Sequence, residues 1–108
     1  MGNYRIVFCT VPSKKSADKI TKAVLEKRFA ACVNTLSFVS SSYWWKGKIE
    51  RSSELLLIMK TQKTKMKKLI ECVKANHPYE TAEIISMEIK EGNEDYLAWI
   101  KQSVKTAG

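Results

Sequence analysis

Histidine occurs once in this sequence, proline twice and glycine four times, with no two glycines clustered. Each scarcity removes a class of function. Without a glycine-rich loop there is no backbone cradle for phosphates of the P-loop or dinucleotide-binding kind. With one imidazole, His77, no site can be built from several histidines, and a serine triad would have to use that ring. The GxSxG turn that would present such a serine is absent. No apolar stretch approaches the ~20 residues that a membrane span needs. The apolar run after Arg5 ends within a few residues, too soon for a signal peptide. Cys9, Cys32 and Cys72 are odd in number, widely spaced and without a CxxC pair. They read as reduced thiols of a soluble, cytoplasmic protein. The expectation is a non-enzyme with no membrane partner and no obligatory cofactor.

What is present fits one compact domain spanning 1–108. A chain of 108 residues with 44% hydrophobic content can bury a core but is too short for two domains. The net charge of +8 raises nucleic acid or an acidic surface as partners. The charge is uneven. Lys60, Lys63, Lys65, Lys67, Lys68 and Lys74 stand against Glu71 in residues 60–74. Glu80, Glu83, Glu88, Glu91, Glu94 and Asp95 stand against Lys90 in residues 80–95. Such segments either oppose each other between copies or form ordinary solvated faces.

Strand and helix signals alternate along the chain. Tyr4 to Val11 is β-branched and aromatic and is closed by Pro12-Ser13, a helix start. Ala17, Ile20 and Val24 then recur at helical spacing, with an end expected near Arg28. Two long extended segments follow, Cys32 to Trp45 and Lys48 to Thr61, joined by a tight turn at Lys46-Gly47-Lys48. Leu55 to Met59 is too continuously apolar for a strand with one wet face, so the second arm should be central in the sheet. Met66, Leu69, Ile70 and Val73 mark a second helix, which ends before His77-Pro78 because the residue before proline avoids helical geometry. A strand from about Ala82 to Ile89 and a helix capped by Asn93 complete the order. The fold class is α+β, a ferredoxin-like βαββαβ with an extra C-terminal helix and a long central hairpin. Two helices cover one sheet face, and a partner subunit is the economical cover for the other.

Several stretches resemble the CutA, or divalent-cation-tolerance, family over nearly the whole chain, from Tyr4 to about Ser103. They are Phe8-Cys9-Thr10 with Pro12, Arg28-Phe29-Ala30-Ala31-Cys32-Val33-Asn34, Ser42-Tyr43-Trp44-Trp45-Lys46-Gly47-Lys48-Ile49-Glu50, Glu54 to Thr61, His77-Pro78-Tyr79-Glu80 and Tyr96-Leu97-Ala98-Trp99. The resemblance implies a homotrimer similar in architecture to PII-type signalling proteins, with a link to copper and other divalent metals. It also implies a copper site from the first-strand cysteine and a pair of histidines before Pro-Tyr. Here those positions are Cys9, Asn76 and His77, so an amide replaces one imidazole and is the poorer copper ligand. The remaining donors are Cys9 and His77, helped by Glu80 or a neighbouring subunit.

The residues themselves leave alternatives open. A thiolate and an imidazole suit copper or zinc better than magnesium or calcium, while His77 equally suits a helix C-terminus, where a donor side chain meets exposed carbonyls. Tyr43, Trp45, Lys60, Tyr79, Glu80, Tyr96 and Trp99 form a candidate cleft between subunits for a small anionic ligand, with Lys60 as anchor. The alternative function is a basic ferredoxin-like nucleic-acid-binding module using the aromatic hairpin tip. The stacking rings of the usual RNA-recognition strand are missing after Lys46-Gly47-Lys48.

Overall fold

A computed structural model describes residues 3–105. Residues 1–2 and 106–108, which the single-domain reading includes, lie outside the described residues. The elements are β1 (Tyr4–Val11), α1 (Lys14–Glu26), β2 (Cys32–Trp45), β3 (Lys48–Gln62), a 3₁₀ turn (Lys63–Lys65), α2 (Met66–Asn76), β4 (Ile84–Glu88) and α3 (Glu94–Ser103). The strands form one antiparallel sheet in the order β2-β3-β1-β4. The apolar run of β3 is therefore central, as its continuous hydrophobicity requires.

Local chemistry explains the boundaries. Ser13 caps α1 by accepting the Ser16 N–H at 3.2 Å, and Asn93 caps α3 through the Asp95 N–H at 2.9 Å. α1 stops at Glu26, two residues before the sequence expectation. Arg28 takes the left-handed conformation (φ 59°) and Phe29 N–H reaches back to the Val24 carbonyl at 2.9 Å. That six-to-one closure ends helices, normally with glycine in the Arg28 position. Lys46 and Gly47 both have positive φ, the two-residue hairpin turn whose twist matches its strands. β4 is shorter than Ala82–Ile89 because its pairing with β1 covers only Ile84 to Glu88. A single backbone bond from Ile89 N–H to the Tyr4 carbonyl, at 3.0 Å, continues it.

The core lies between the sheet and the first two helices. Val7, Cys9 and Val11 of β1 and Leu57 and Met59 of β3 point to one face, against Ala17, Ile20 and Val24 of α1 and Leu69, Cys72 and Val73 of α2. The opposite face carries the alternate set. Phe8 pairs with Ile58 and Ile85, Ile6 with Met87, and Leu36 with Leu56. Ile85 and Met87 there remain 57% and 59% exposed. One end of this face meets α3, whose Tyr96 lies beside Cys32. Within the chain, neither α1 nor α2 covers this face.

Beyond Leu55, β3 has only β2 as a neighbour, so the hairpin projects as a two-stranded arm from Val39↔Glu54 to Trp45↔Lys48. At its root the pairing slips between Leu36 and Val39. Phe38 in this bulge has φ 63° and a fully exposed ring.

Candidate functional site

Proline at position 78 ends α2 and turns the chain at His77, whose backbone is extended. The imidazole then crosses to β1. Its Nε2 lies 2.8 Å from the Thr10 carbonyl oxygen, and its Nδ1 accepts the Tyr79 backbone N–H at 3.0 Å. A carbonyl only accepts, so Nε2 carries the proton and the ring is the neutral tautomer. Tyr79 packs on the same ring at 4.8 Å and donates its hydroxyl to Glu54 Oε2 at 2.8 Å. One chain of bonds thereby joins the end of β1, the α2–β4 loop and the root of the hairpin.

Cys9 belongs to this neighbourhood from the core side. It is fully buried, and its thiol donates to the same Thr10 carbonyl at 3.7 Å. Burial, with the carboxylates of Glu83 and Glu54 adding repulsion, pushes this thiol up to about 12. It is held protonated at neutral pH, the opposite of an activated nucleophile or a ready metal ligand. Burial first, and then the Glu54 bond and charge, push the Tyr79 phenol up to about 12 as well.

The residues therefore do not fit a preformed metal centre within one chain. His77 has committed both nitrogens, Cys9 keeps its proton, and among the described residues no three His, Cys, Asp or Glu side chains converge to hold an ion. Asn76 does not replace the missing ligand; its amide donates to the Cys72 carbonyl at 2.8 Å and closes the last turn of α2. His77 is the C-cap residue of α2 through its backbone N–H to the Lys74 carbonyl at 3.4 Å, but the side-chain cap is supplied by Asn76, and the His77 ring ties the helix end to the sheet. Glu80 lines a separate hollow of about 290 Å³ with Lys74 and Tyr79. The carboxylates that act on Cys9 are instead Glu54 and Glu83. Sequence reasoning gave neither a role, although a glutamate opening the run Leu55 to Met59 is an available signal for Glu54.

The seven residues of the candidate cleft separate into three places. Lys60 bonds the side-chain oxygen of Asn34, which Cys32 also approaches at 3.9 Å. Tyr96 adjoins Cys32 and stacks on Trp99 at 5.5 Å. Burial, with Cys32 beside it, raises the Tyr96 phenol. Tyr79 and Glu80 sit at the end of α2. Tyr43 and Trp45 sit on the hairpin tip, where Tyr43 bonds Ser52 at 2.6 Å and Lys46 lies 5.7 Å from the Trp45 ring. Tyr43 pairs with Glu50, ten residues along β3 from Lys60, or about 33 Å at strand rise. Within one chain these groups stay apart. A larger open groove of about 780 Å³ runs beside the hairpin root between Pro12, Asp18, Phe38, Val39, Glu54 and Leu55.

Comparison with known proteins gives a consistent result. The family model described as CutA1 divalent ion tolerance protein matches residues 5–103. A mouse protein named Protein CutA is 46% identical over 110 residues, covering 99% of this chain, which spans 62% of that protein's length. The divalent-cation tolerance protein CutA of Thermus thermophilus is 45% identical over 98 residues, covering 91% of this chain and 95% of its own. A solved structure of the Thermus thermophilus protein superposes with a TM-score of 0.91 at 44% identity, over 93% of this chain and 97% of that one.

Proposed function

The chain belongs to the CutA1 divalent ion tolerance family, and within it we propose a homotrimeric, non-catalytic protein of the cytoplasm that binds small ligands in clefts between its copies. The observation that carries this reading is the bare hairpin arm. A two-stranded ribbon is marginal in water on its own, yet this one holds Phe38, Trp44 and Ile49 out to solvent at 101%, 73% and 65% exposure. Docking the arm on a neighbouring chain would bury those rings and cover the sheet face that carries Ile85 and Met87. It would also bring an aromatic tip towards Lys60, Tyr96 and Trp99, or towards Tyr79 and Glu80, the groups that one chain holds apart.

Copper or another divalent metal enters this reading as an indirect partner. Binding at Cys9 and His77 would require the thiol to ionise and the imidazole to give up the Tyr79 N–H. Two measurements test the proposal. Sedimentation equilibrium should give a species of three chains, reduced to smaller species by Trp44→Ser with Ile49→Ser; a monomer would refute the assembly. Cu(I) titration under a competing chelator should give weak binding that is indifferent to Cys9→Ser and His77→Ala. Stoichiometric binding lost by more than about tenfold in both variants, or ~1.4 kcal/mol, would overturn the indirect reading.

A further inference from the structure

The molecule's excess charge occupies one layer. From Lys14 to Arg28, the basic residues Lys14, Lys15, Lys19, Lys22, Lys27 and Arg28 face only Asp18 and Glu26, a surplus of +4. From Lys63 to Lys74, the basic residues Lys63, Lys65, Lys67, Lys68 and Lys74 face only Glu71, again +4. These two segments account for the whole net charge of +8, and the other eight Lys and Arg are matched by eight Asp and Glu. The segments are α1 and α2 with their flanks, packed on the same sheet face. Their apolar sides are turned to the core, and the lysines lie outward, Lys65 alone being half-buried.

The surplus is further concentrated at one end. α2 begins where Lys63 N–H bonds the Asn3 carbonyl, at the start of β1, and it ends where His77 reaches Thr10, at the finish of β1. α1 starts just after β1 and returns, so that Phe29 meets Thr61, the partner of Arg5. The helices therefore run in opposite directions, and the end of α1 with Lys22 and Lys27 adjoins the beginning of α2 with Lys63, Lys67 and Lys68, while Arg28 turns its guanidinium to the Ser103 carbonyl at 2.8 Å. The first turn of α2 holds no acidic residue and has no side-chain cap. Lysines there add to the positive end of the helix dipole. Folding does not favour that arrangement, whereas a negatively charged partner does. Among the described residues, Lys14 is the one cation of this set in an ion pair, with Asp18 at 3.0 Å.

We propose that the outer face of α1 and α2 is an electrostatic docking surface for an anionic lipid bilayer. The residue chemistry selects this partner. Ten of the eleven cations are lysines, which act as point charges, and the outer face of the two helices presents no aromatic ring to stack on a base. The two helices make a broad face, with neither a protruding helix nor a ribbon to enter a groove. Attraction to a negatively charged plane needs only clustered lysines. None of the described helices is long and apolar enough to cross a membrane, and docking through surface charge needs no spanning segment. Docking at the surface leaves the fold and the opposite sheet face undisturbed.

Vesicle co-sedimentation of the full chain tests the proposal. With vesicles of equal phosphatidylcholine and phosphatidylserine, binding should exceed that to phosphatidylcholine alone by at least about tenfold at low salt. It should fall away as ionic strength rises from about 0.05 to about 0.3 M. The triple variant Lys63→Gln, Lys67→Gln, Lys68→Gln should lose most of the binding. The control Lys48→Gln, Lys90→Gln, Lys101→Gln removes the same charge from exposed positions elsewhere and should retain it. Circular dichroism of both variants checks that the fold is kept. Equal loss in the two variants would reduce the effect to net charge and overturn the surface. Absence of binding, or tighter binding to duplex DNA than to vesicles at matched phosphate and salt, would overturn the lipid assignment.

Discussion

Cys9 and His77 share an acceptor: the Thr10 carbonyl takes the imidazole Nε2–H at 2.8 Å and the Cys9 thiol at 3.7 Å. Two residues that suggest a metal pair by chemistry are therefore joined through a backbone oxygen. The bond pattern makes His77 a structural tie, and its removal is the first expected outcome. His77→Ala deletes two hydrogen bonds and leaves the Tyr79 N–H without its partner. It should destabilise the fold by about 1–3 kcal/mol. Urea unfolding at fixed protein concentration checks this, with a lower midpoint and an unchanged slope expected. A midpoint equal to that of the parent would show that the tie contributes nothing.

The thiols should differ sharply in reactivity. Cys9 is fully buried with its pKa pushed up to about 12, and Cys72 is buried beneath α2, while Cys32 is partly open. At pH 8 the Cys9 thiolate fraction is ~10⁻⁴, and the thiolate is the reacting form. Ellman's reagent should thus titrate one thiol per native chain, lost in Cys32→Ser, and three after denaturation. Rapid native reaction of Cys9 would contradict both its burial and its protonation.

Alkaline pH should weaken the fold in a defined window. Cys9 rises from 9.0 and Tyr79 from 10.0, each to about 12, so between those limits the unfolded chain has lost protons that the folded chain retains. The stability these groups contribute is fully present below pH 9 and declines as pH climbs towards 12. Tyr79→Phe cannot ionise there, and it also removes the hydroxyl from Glu54, which is 6% exposed. The variant should start less stable at neutral pH and lose less on going from pH 9 to 12. Parallel melting curves across the pH series would count against the assignment.

The parts of this structure that were legible in the sequence are those set by hydrophobic period and turn chemistry. Leu55 to Met59 announced the central strand, Lys46-Gly47 the tight turn, and Asn93 the cap of α3. The candidate site was less legible because its bonds span the fold. Tyr79 and Glu54 lie 25 positions apart, and His77 and Thr10 lie 67 apart. No local pattern encodes a ring nitrogen turned towards a distant carbonyl. The Arg28 cap and the Phe38 bulge were hidden for another reason: neither carries the glycine that normally marks positive φ.

Phe38 supplies the last prediction. Its left-handed backbone is unfavourable for a bulky residue, and the fully exposed ring gains no packing within the chain in return. Phe38→Gly removes the Cβ clash but lets the unfolded chain roam more freely, so its effect on an isolated chain is confined to about ±1 kcal/mol. An assembly that buries the ring has more to lose, since truncating a buried aromatic at an interface costs ~2 kcal/mol or more. The two cases separate by concentration. Thermal melts of Phe38→Gly should fall furthest below the parent at high protein concentration, where the parent is most associated, and the gap should close on dilution. A difference independent of concentration would confine the role of Phe38 to its own hairpin and leave the arm's exposed aromatics without this contact between copies.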